Sequence, residues 1–224
     1  MLKFNNYKIF FLISLLRQFY TYDFLYRTFY LNIDDSFNWK ETMNNCINPM
    51  QNQGLCAASY AIAAASVLSD RFCIKSKGVN IQFSPQCNFT TKINLDIISC
   101  NTYADRCDGG NYIDAWKGIN ETGLISQECM PFLGDSKNSP RCPTPLTCIL
   151  SRNSNLIYKI SDFNVIKNNR YQAMLEIIKN GPVQAEMNLF EDFIQFHENE
   201  DGVYQYKYGS LISKINVKVN KIIN

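Results

Sequence analysis

The distribution of cysteine constrains this chain more than any other feature. All nine cysteines fall between Cys46 and Cys148, and the last third of the chain has none. Two chemistries use cysteine at this density: zinc ligation and disulfide bonding. Zinc sites are built from tight Cys-x-x-Cys pairs, and the sequence contains no such pair. The spacing therefore reads as a stapled, oxidised first part joined to an unstapled second part, which places the chain in a secretory or lumenal compartment. An odd count leaves at least one thiol over. Two glycosylation sequons, Asn88-Phe89-Thr90 and Asn120-Glu121-Thr122, fit the same compartment.

The N-terminus points the same way. Lys3 and Lys8 precede an apolar run from Ile9 to Leu16, interrupted by Arg17. Such a run is too short to span a bilayer and resembles the core of a secretory signal, so residues 1–32 are read as a leader. Lys plus Arg number 22 against 20 Asp plus Glu. A balance so close to neutral gives no electrostatic case for nucleic acid or an anionic membrane as partner. There is one histidine, His197, so a mechanism needing two imidazoles is excluded within the chain.

Residues 33–58 are polar, rich in Asn and loop-like. From Ser59 to Phe72 the chain is rich in Ala, free of Gly and Pro, and apolar on most sides, which predicts a buried helix with Ser59 as its cap. Ser84-Pro85-Gln86 predicts the opening of a second helix running through Ile98. Cys107-Asp108-Gly109-Gly110 is a turn signal, and Tyr112 to Gly118 reads as a short helix ended by Gly. Prolines 131, 140, 143 and 145 break regular structure over residues 129–155. Leu156 to Val165, Val183 to Leu189 and Gly202 to Tyr206 read as strands, and Tyr171 to Lys179 as a helix stopped by Gly181-Pro182. The expected fold class is α+β: a helical, cross-linked domain over 33–150 and a β-rich domain over 151–224.

The run Gln51-Asn52-Gln53-Gly54-Leu55-Cys56-Ala57-Ala58-Ser59-Tyr60-Ala61-Ile62 resembles the active-site segment of papain-like cysteine peptidases, Q-x-Q-G-x-C-G-S-C-W-A-F. Ser69-Asp70-Arg71-Phe72-Cys73-Ile74 is similar to the cathepsin B version of the helix end. Cys107-Asp108-Gly109-Gly110 matches the family's C-N-G-G, and Asn180-Gly181-Pro182-Val183 and Gly202-Val203-Tyr204 match two later blocks. Five blocks in the family's order identify a cathepsin B-like sequence over about residues 33–210. The resemblance implies the papain-like two-domain α+β fold, with the second domain's barrel incomplete, and proteolysis of polypeptides as the family activity.

That chemistry uses a Cys thiolate at a helix N-terminus, an imidazole partner oriented by Asn, and a Gln side chain at the oxyanion. The resemblance puts Gln53 at the oxyanion position and Gly109 and Gly110 beside the substrate chain. It puts Ser59 at the nucleophile position, where the family has Cys. Three readings of Ser59 follow: a helix-capping serine without chemistry, a serine nucleophile for which no base is found, or a sequence error. The first is the expectation. Tubulointerstitial nephritis antigens, which also resemble cathepsin B, share a Ser at this position. The family His falls about a dozen residues after the Gly-Val-Tyr block in a G-G-H-A run, but Ser210 to Lys218 contains no His. His197 precedes that block among acids and reads as a solvated loop residue.

The expectation is thus a truncated, catalytically deficient homologue, with an active lysosomal-type cysteine endopeptidase and a non-catalytic peptide-binding or matrix-type glycoprotein as alternatives. No cofactor or metal is expected. A polypeptide substrate or inhibitor is the expected partner, the chain is expected to be a monomer, and its place is outside the cell or in a lysosomal or vacuolar lumen. The resemblance also implies the disulfides Cys46–Cys73, Cys56–Cys107, Cys100–Cys142 and Cys129–Cys148, with Cys87 left over.

Overall fold

A computed structural model describes residues 36–86, 106–134, 157–167, 169–194, 196, 204–219 and 221–223. The expected leader 1–32, Cys87, Asn88, Cys100, Cys142, Cys148, His197 and the Gly202-Val203 pair lie outside these residues. In chain order come β1 (Ser36–Asn38), α1 (Trp39–Thr42), a 3-10 turn at Asn44–Cys46, α2 (Ser59–Lys75), a second 3-10 turn at Arg106–Asp108, and α3 (Tyr112–Thr122). Then follow α4 (Arg170–Asn180), β2 (Val183–Phe190), α5 (Glu191–Ile194), β3 (Leu211–Val219) and β4 (Lys221–Ile223). The mixture is α+β, as expected. Asn38–Lys221 forms one compact unit, which holds the core. Phe37 and Ile222 belong to a second, small unit, where β1 pairs with β4.

The core is built on α2. Ten of its residues are buried, from Tyr60 to Cys73, so the Ala-rich, Gly-free segment does form the central helix. It runs one turn further than Phe72 and closes where Gly78 N–H donates back to Cys73 O at 2.9 Å. Against it pack Phe83, Ala115, Ile119 and Leu124, with Phe72, Phe83 and Tyr158 meeting ring to ring. Cys46–Cys73 joins the first 3-10 turn to the end of α2, and Cys56–Cys107 joins the approach to α2 to the second turn. These are two of the pairings that the resemblance implies. Each closes a loop that the unfolded chain would leave open, worth ~2–4 kcal/mol. Cys129 is also disulfide-bonded, with its partner outside the described residues.

Several elements differ from the sequence expectation. α3 does not stop at Gly118, which is buried inside it. The helix ends at Gly123, whose φ of 87° supplies the left-handed turn that a residue with a Cβ resists. Gln86 N–H donates to Ser84 Oγ at 3.0 Å, and the rest of the helix expected through Ile98 lies outside the described residues. Residues 157–165 make a single bridge, Leu124 to Tyr158, in place of a strand. Their alternation serves side-chain packing: Tyr158 and Ile160 reach the core and Phe163 stacks on Trp116. Tyr204–Tyr206 are likewise not a strand. The partner of β2 is β3, antiparallel from Val183↔Val219 to Phe190↔Leu211, which the sequence reading did not pick out. α4 and its stop at Gly181, φ 107°, agree with expectation.

Candidate functional site

The site begins with the turn before α2. Cys56 N–H donates to Gln53 O at 3.2 Å, and Gly54 N–H donates to Asn52 Oδ1 at 2.8 Å. Gly54 has φ +60°, and a Cβ there would lie 2.5 Å from Gly134 O, so glycine is required twice over. Leu55 N–H donates to that same carbonyl at 3.0 Å. Just beyond the turn, the Cys56–Cys107 disulfide and the bond from Ala57 N–H to Cys107 O, 2.9 Å, tie the helix entrance to the segment carrying Gly109 and Gly110.

Ser59 is the first helical residue, half-buried. The cap is Ala58, which has no side-chain hydrogen bond, so the expected capping role of Ser59 is corrected. Ala58 O accepts from Ile62 N–H at 3.0 Å, the first intrahelical bond, which puts the cap one residue before Ser59. The Ser59 hydroxyl therefore stands at the positive end of a seventeen-residue helix. One residue on, the Tyr60 ring packs against Gly110: a Cβ on Gly110 would be 2.7 Å from ring carbons. The turn, the disulfide and the Tyr60 ring link the segments that carry Gln53, Ser59, Gly109 and Gly110.

Behind this surface lie two polar links that sequence reasoning missed. Gln184 on β2 accepts from Trp116 Nε1–H at 2.7 Å and donates to Tyr60 O at 3.0 Å. Lys218 on β3 donates to Asp70 Oδ2 and to Asn48 O, both at 2.8 Å, while Asp70 Oδ1 accepts from Asn48 N–H and Nδ2–H. Burial pushes the Asp70 carboxyl above its ordinary value, opposed by the Lys218 ammonium and the Asn48 donors. Arg71 Nε–H donates to Pro182 O at 2.6 Å and its guanidinium pairs with Glu176 at 2.8 Å, fixing the α4–β2 turn to α2.

At the far end of the β2–β3 ribbon, Asp192 accepts from Tyr204 Oη–H at 2.5 Å and from Lys207 N–H at 2.8 Å. Burial would raise this carboxyl, but those hydrogen bonds hold it below the ordinary value. The Tyr204 hydroxyl is pushed up to about 12, by burial first and then by the Asp192 carboxylate. Among the described residues no cluster of His, Cys, Asp and Glu could hold a metal ion, and no helix is long and apolar enough to cross a membrane.

Residues 33–222 match the family model described as papain family cysteine protease. The chain belongs to the papain family. Within that family its relatives are cathepsin B-like. It is 31% identical over 191 residues to the tubulointerstitial nephritis antigen-like protein of Rattus norvegicus, covering 76% of this chain and 38% of that one. It is 30% identical over 197 residues to cathepsin B of Dictyostelium discoideum, covering 80% and 58%. The chain thus spans well under two thirds of either relative. Procathepsin B of Trypanosoma congolense superposes with a TM-score of 0.71 at 25% identity, over 85% of this chain and 63% of that one. A cysteine protease of Carica candamarcensis gives 0.63 at 17% identity, over 86% and 79%, which speaks to the fold alone. The papain-like α+β fold and the cathepsin B-like character are therefore established together.

Asn120, in the second sequon, lies half-buried on α3, and Thr122 of the same tripeptide is buried with its hydroxyl on Gly118 O at 2.7 Å.

Proposed function

We propose that this chain is a cathepsin B-like homologue that holds an extended polypeptide without cutting it. The observation that carries the reading is Ser59 at the first position of α2, where the family's thiol would stand. A serine hydroxyl needs a base to take its proton, and β3, the strand into which the family's G-G-H-A run falls by sequence, contains no histidine. In this reading Gln53 keeps the oxyanion position and Gly109 and Gly110 offer backbone groups to a bound chain. Such contacts depend on main-chain geometry and survive the loss of a nucleophile. Residues 33–150 form the helical domain that carries them, and 151–224 contribute the β-rich domain. The partner is a peptide segment or a protein inhibitor of papain-type enzymes, and no cofactor takes part. Its two described disulfides support an oxidising compartment for it, outside the cell or in a lysosomal or vacuolar lumen.

The test is direct. Purified protein incubated with fluorogenic dipeptide amides should release no fluorophore above the buffer rate, and an epoxide probe for active-site thiols should leave residues 53–59 unmodified. Turnover, or stoichiometric labelling mapped to that segment, would overturn the reading. Binding of a cystatin, measured by calorimetry, addresses the groove separately.

A further inference from the structure

Gln184 is the one β2 side chain seen bonded to both helices that carry the candidate groove, α2 and α3. Its Oε1 accepts from the Trp116 indole N–H on α3, and its Nε2 donates to the Tyr60 carbonyl in the first turn of α2. One partner is a pure donor and the other a pure acceptor. An amide presents one end of each kind, so both bonds are met and the orientation is unique. Tyr60 in turn supports Gly110 on its ring, and Trp116 is stacked on Phe163 at 6.4 Å between centroids. The amide is therefore the fixed point relating β2 to the helix entrance and the glycine edge.

We propose that Gln184 is a positioning residue: it sets where the β2–β3 ribbon stands relative to the Gly109–Gly110 edge, and so governs peptide binding in the groove. This rests on the peptide-holding reading above. Lys218 is the cross-strand neighbour of Gln184, with its ammonium held by Asp70 and Asn48, and Glu186 lies two residues along β2, paired with Lys214 at 3.1 Å. On α3, Lys117 is engaged with Asp114 at 3.3 Å.

The chemistry makes the idea testable with Gln184→Glu. A protonated carboxyl reproduces both bonds; an ionised one can only accept, and sets a negative oxygen against the Tyr60 carbonyl. The variant and the wild type are compared at about pH 4 and about pH 8, either side of an ordinary Glu value. Gln184→Met serves as a variant of similar length without either bond. Two readouts are taken: hydrogen exchange of peptides covering residues 57–66, and the calorimetric Kd for a cystatin. Gln184→Glu should exchange and bind like wild type at the acid pH. At the alkaline pH its cystatin affinity should fall by about tenfold, as expected for a partly buried polar group left without its partner, and exchange at 57–66 should rise. Gln184→Met should be loosened at both. Should wild type not bind cystatin at all, the peptide-holding reading fails, while the exchange data still decide whether Gln184 positions the helix entrance. Exchange and binding of both variants indistinguishable from wild type at each pH would overturn the proposal.

Discussion

Lys218 Nζ stands 2.8 Å from Asp70 Oδ2, joining residues 148 positions apart, with the lysine side chain 3% exposed and the carboxylate fully buried. This pair anchors β3 on the central helix. A buried ion pair is weak evidence for stability as such, since both charges leave water, but removing one partner strands the other. Lys218→Met alone should therefore cost about 3–5 kcal/mol of unfolding free energy. Lys218→Met with Asp70→Leu should cost much less than the sum of the two single changes. The pH dependence has a definite sign. Asp70 is already held above 3.8 by burial in the wild type. Loss of Lys218 removes influences that lower it, so the carboxyl rises further and the folded variant binds that proton more tightly still. The defect should be greatest near neutrality and narrow on acidification. Denaturant melts of the three variants across pH decide this, and strict additivity of the double variant would refute it.

Gly110→Ala tests the wall beside Ser59. The new methyl would sit 2.7–2.9 Å from the Tyr60 ring, and that ring is 1% exposed and cannot swing aside. Overpacking of this kind should cost about 1–3 kcal/mol. In a Tyr60→Ala background the same change should cost far less, because the opposing ring is gone. Chemical denaturation of the four proteins measures the coupling; equal costs in both backgrounds would show that the ring is not what excludes the methyl.

Part of this architecture is written locally, and part is not. The stretch 59–75 declares itself, because an Ala-rich run without Gly or Pro and without a polar face has one stable use, a buried helix. Gly181 and Pro182 announce the end of α4 in the same way. The turn that meets Gly134 was readable only as a match to the papain pattern, because nothing in Gln53-Gly54-Leu55 names a carbonyl eighty residues away. Gln184 and Lys218 were not legible at all. Each is a polar residue on a strand, a pattern that usually means a solvated face, and its partners lie between 68 and 170 residues away. β3 was passed over for a related reason: Leu211 to Lys214 are exposed on both faces, so apolar alternation begins only at Ile215. Ser59 shows the limit of local rules, since residue preference favours Ser as the cap while the first intrahelical bond, from Ile62 N–H, goes to Ala58 O.

Ser59→Cys should give a reactive thiol but not a peptidase. A helix N-terminus lowers a thiol pKa from its ordinary ~8.5, so the new thiol should alkylate with iodoacetamide faster than a model thiol at neutral pH. With the disulfides intact, labelling maps to residue 59 by mass spectrometry in the variant and is missing there in wild type. Without an imidazole partner the acylation and proton transfer to the leaving amine lack their acid, and dipeptide amides should not turn over. Turnover above background in Ser59→Cys would mean that a base reaches residue 59 from elsewhere in the chain, and His197 would become the first residue to change.

The Tyr204–Asp192 clasp makes a prediction at both ends of the pH scale. Tyr204 is pushed up to about 12, by burial first and then by Asp192, from an ordinary 10.0. The folded chain thus holds the phenol proton more tightly than the unfolded chain does. That stabilisation is complete below an ordinary tyrosine value of about 10 and is lost as pH rises toward about 12. Asp192 behaves in the opposite sense. Burial raises it, but the hydrogen bonds from Tyr204, Lys207 N–H and Tyr208 N–H outweigh burial and hold it below 3.8. Its stabilisation is present above 3.8 and is lost as pH falls through the lower folded value. Tyr204→Phe removes one of those bonds, so Asp192 moves back up toward its ordinary value and the acid-side loss should be smaller than in wild type. The same variant should lack the last-titrating phenol in an ultraviolet absorbance titration. Spectra in which every wild-type tyrosine ionises together near the ordinary value, or acid melts of Tyr204→Phe that superimpose on wild type, would show that the clasp does not hold in solution.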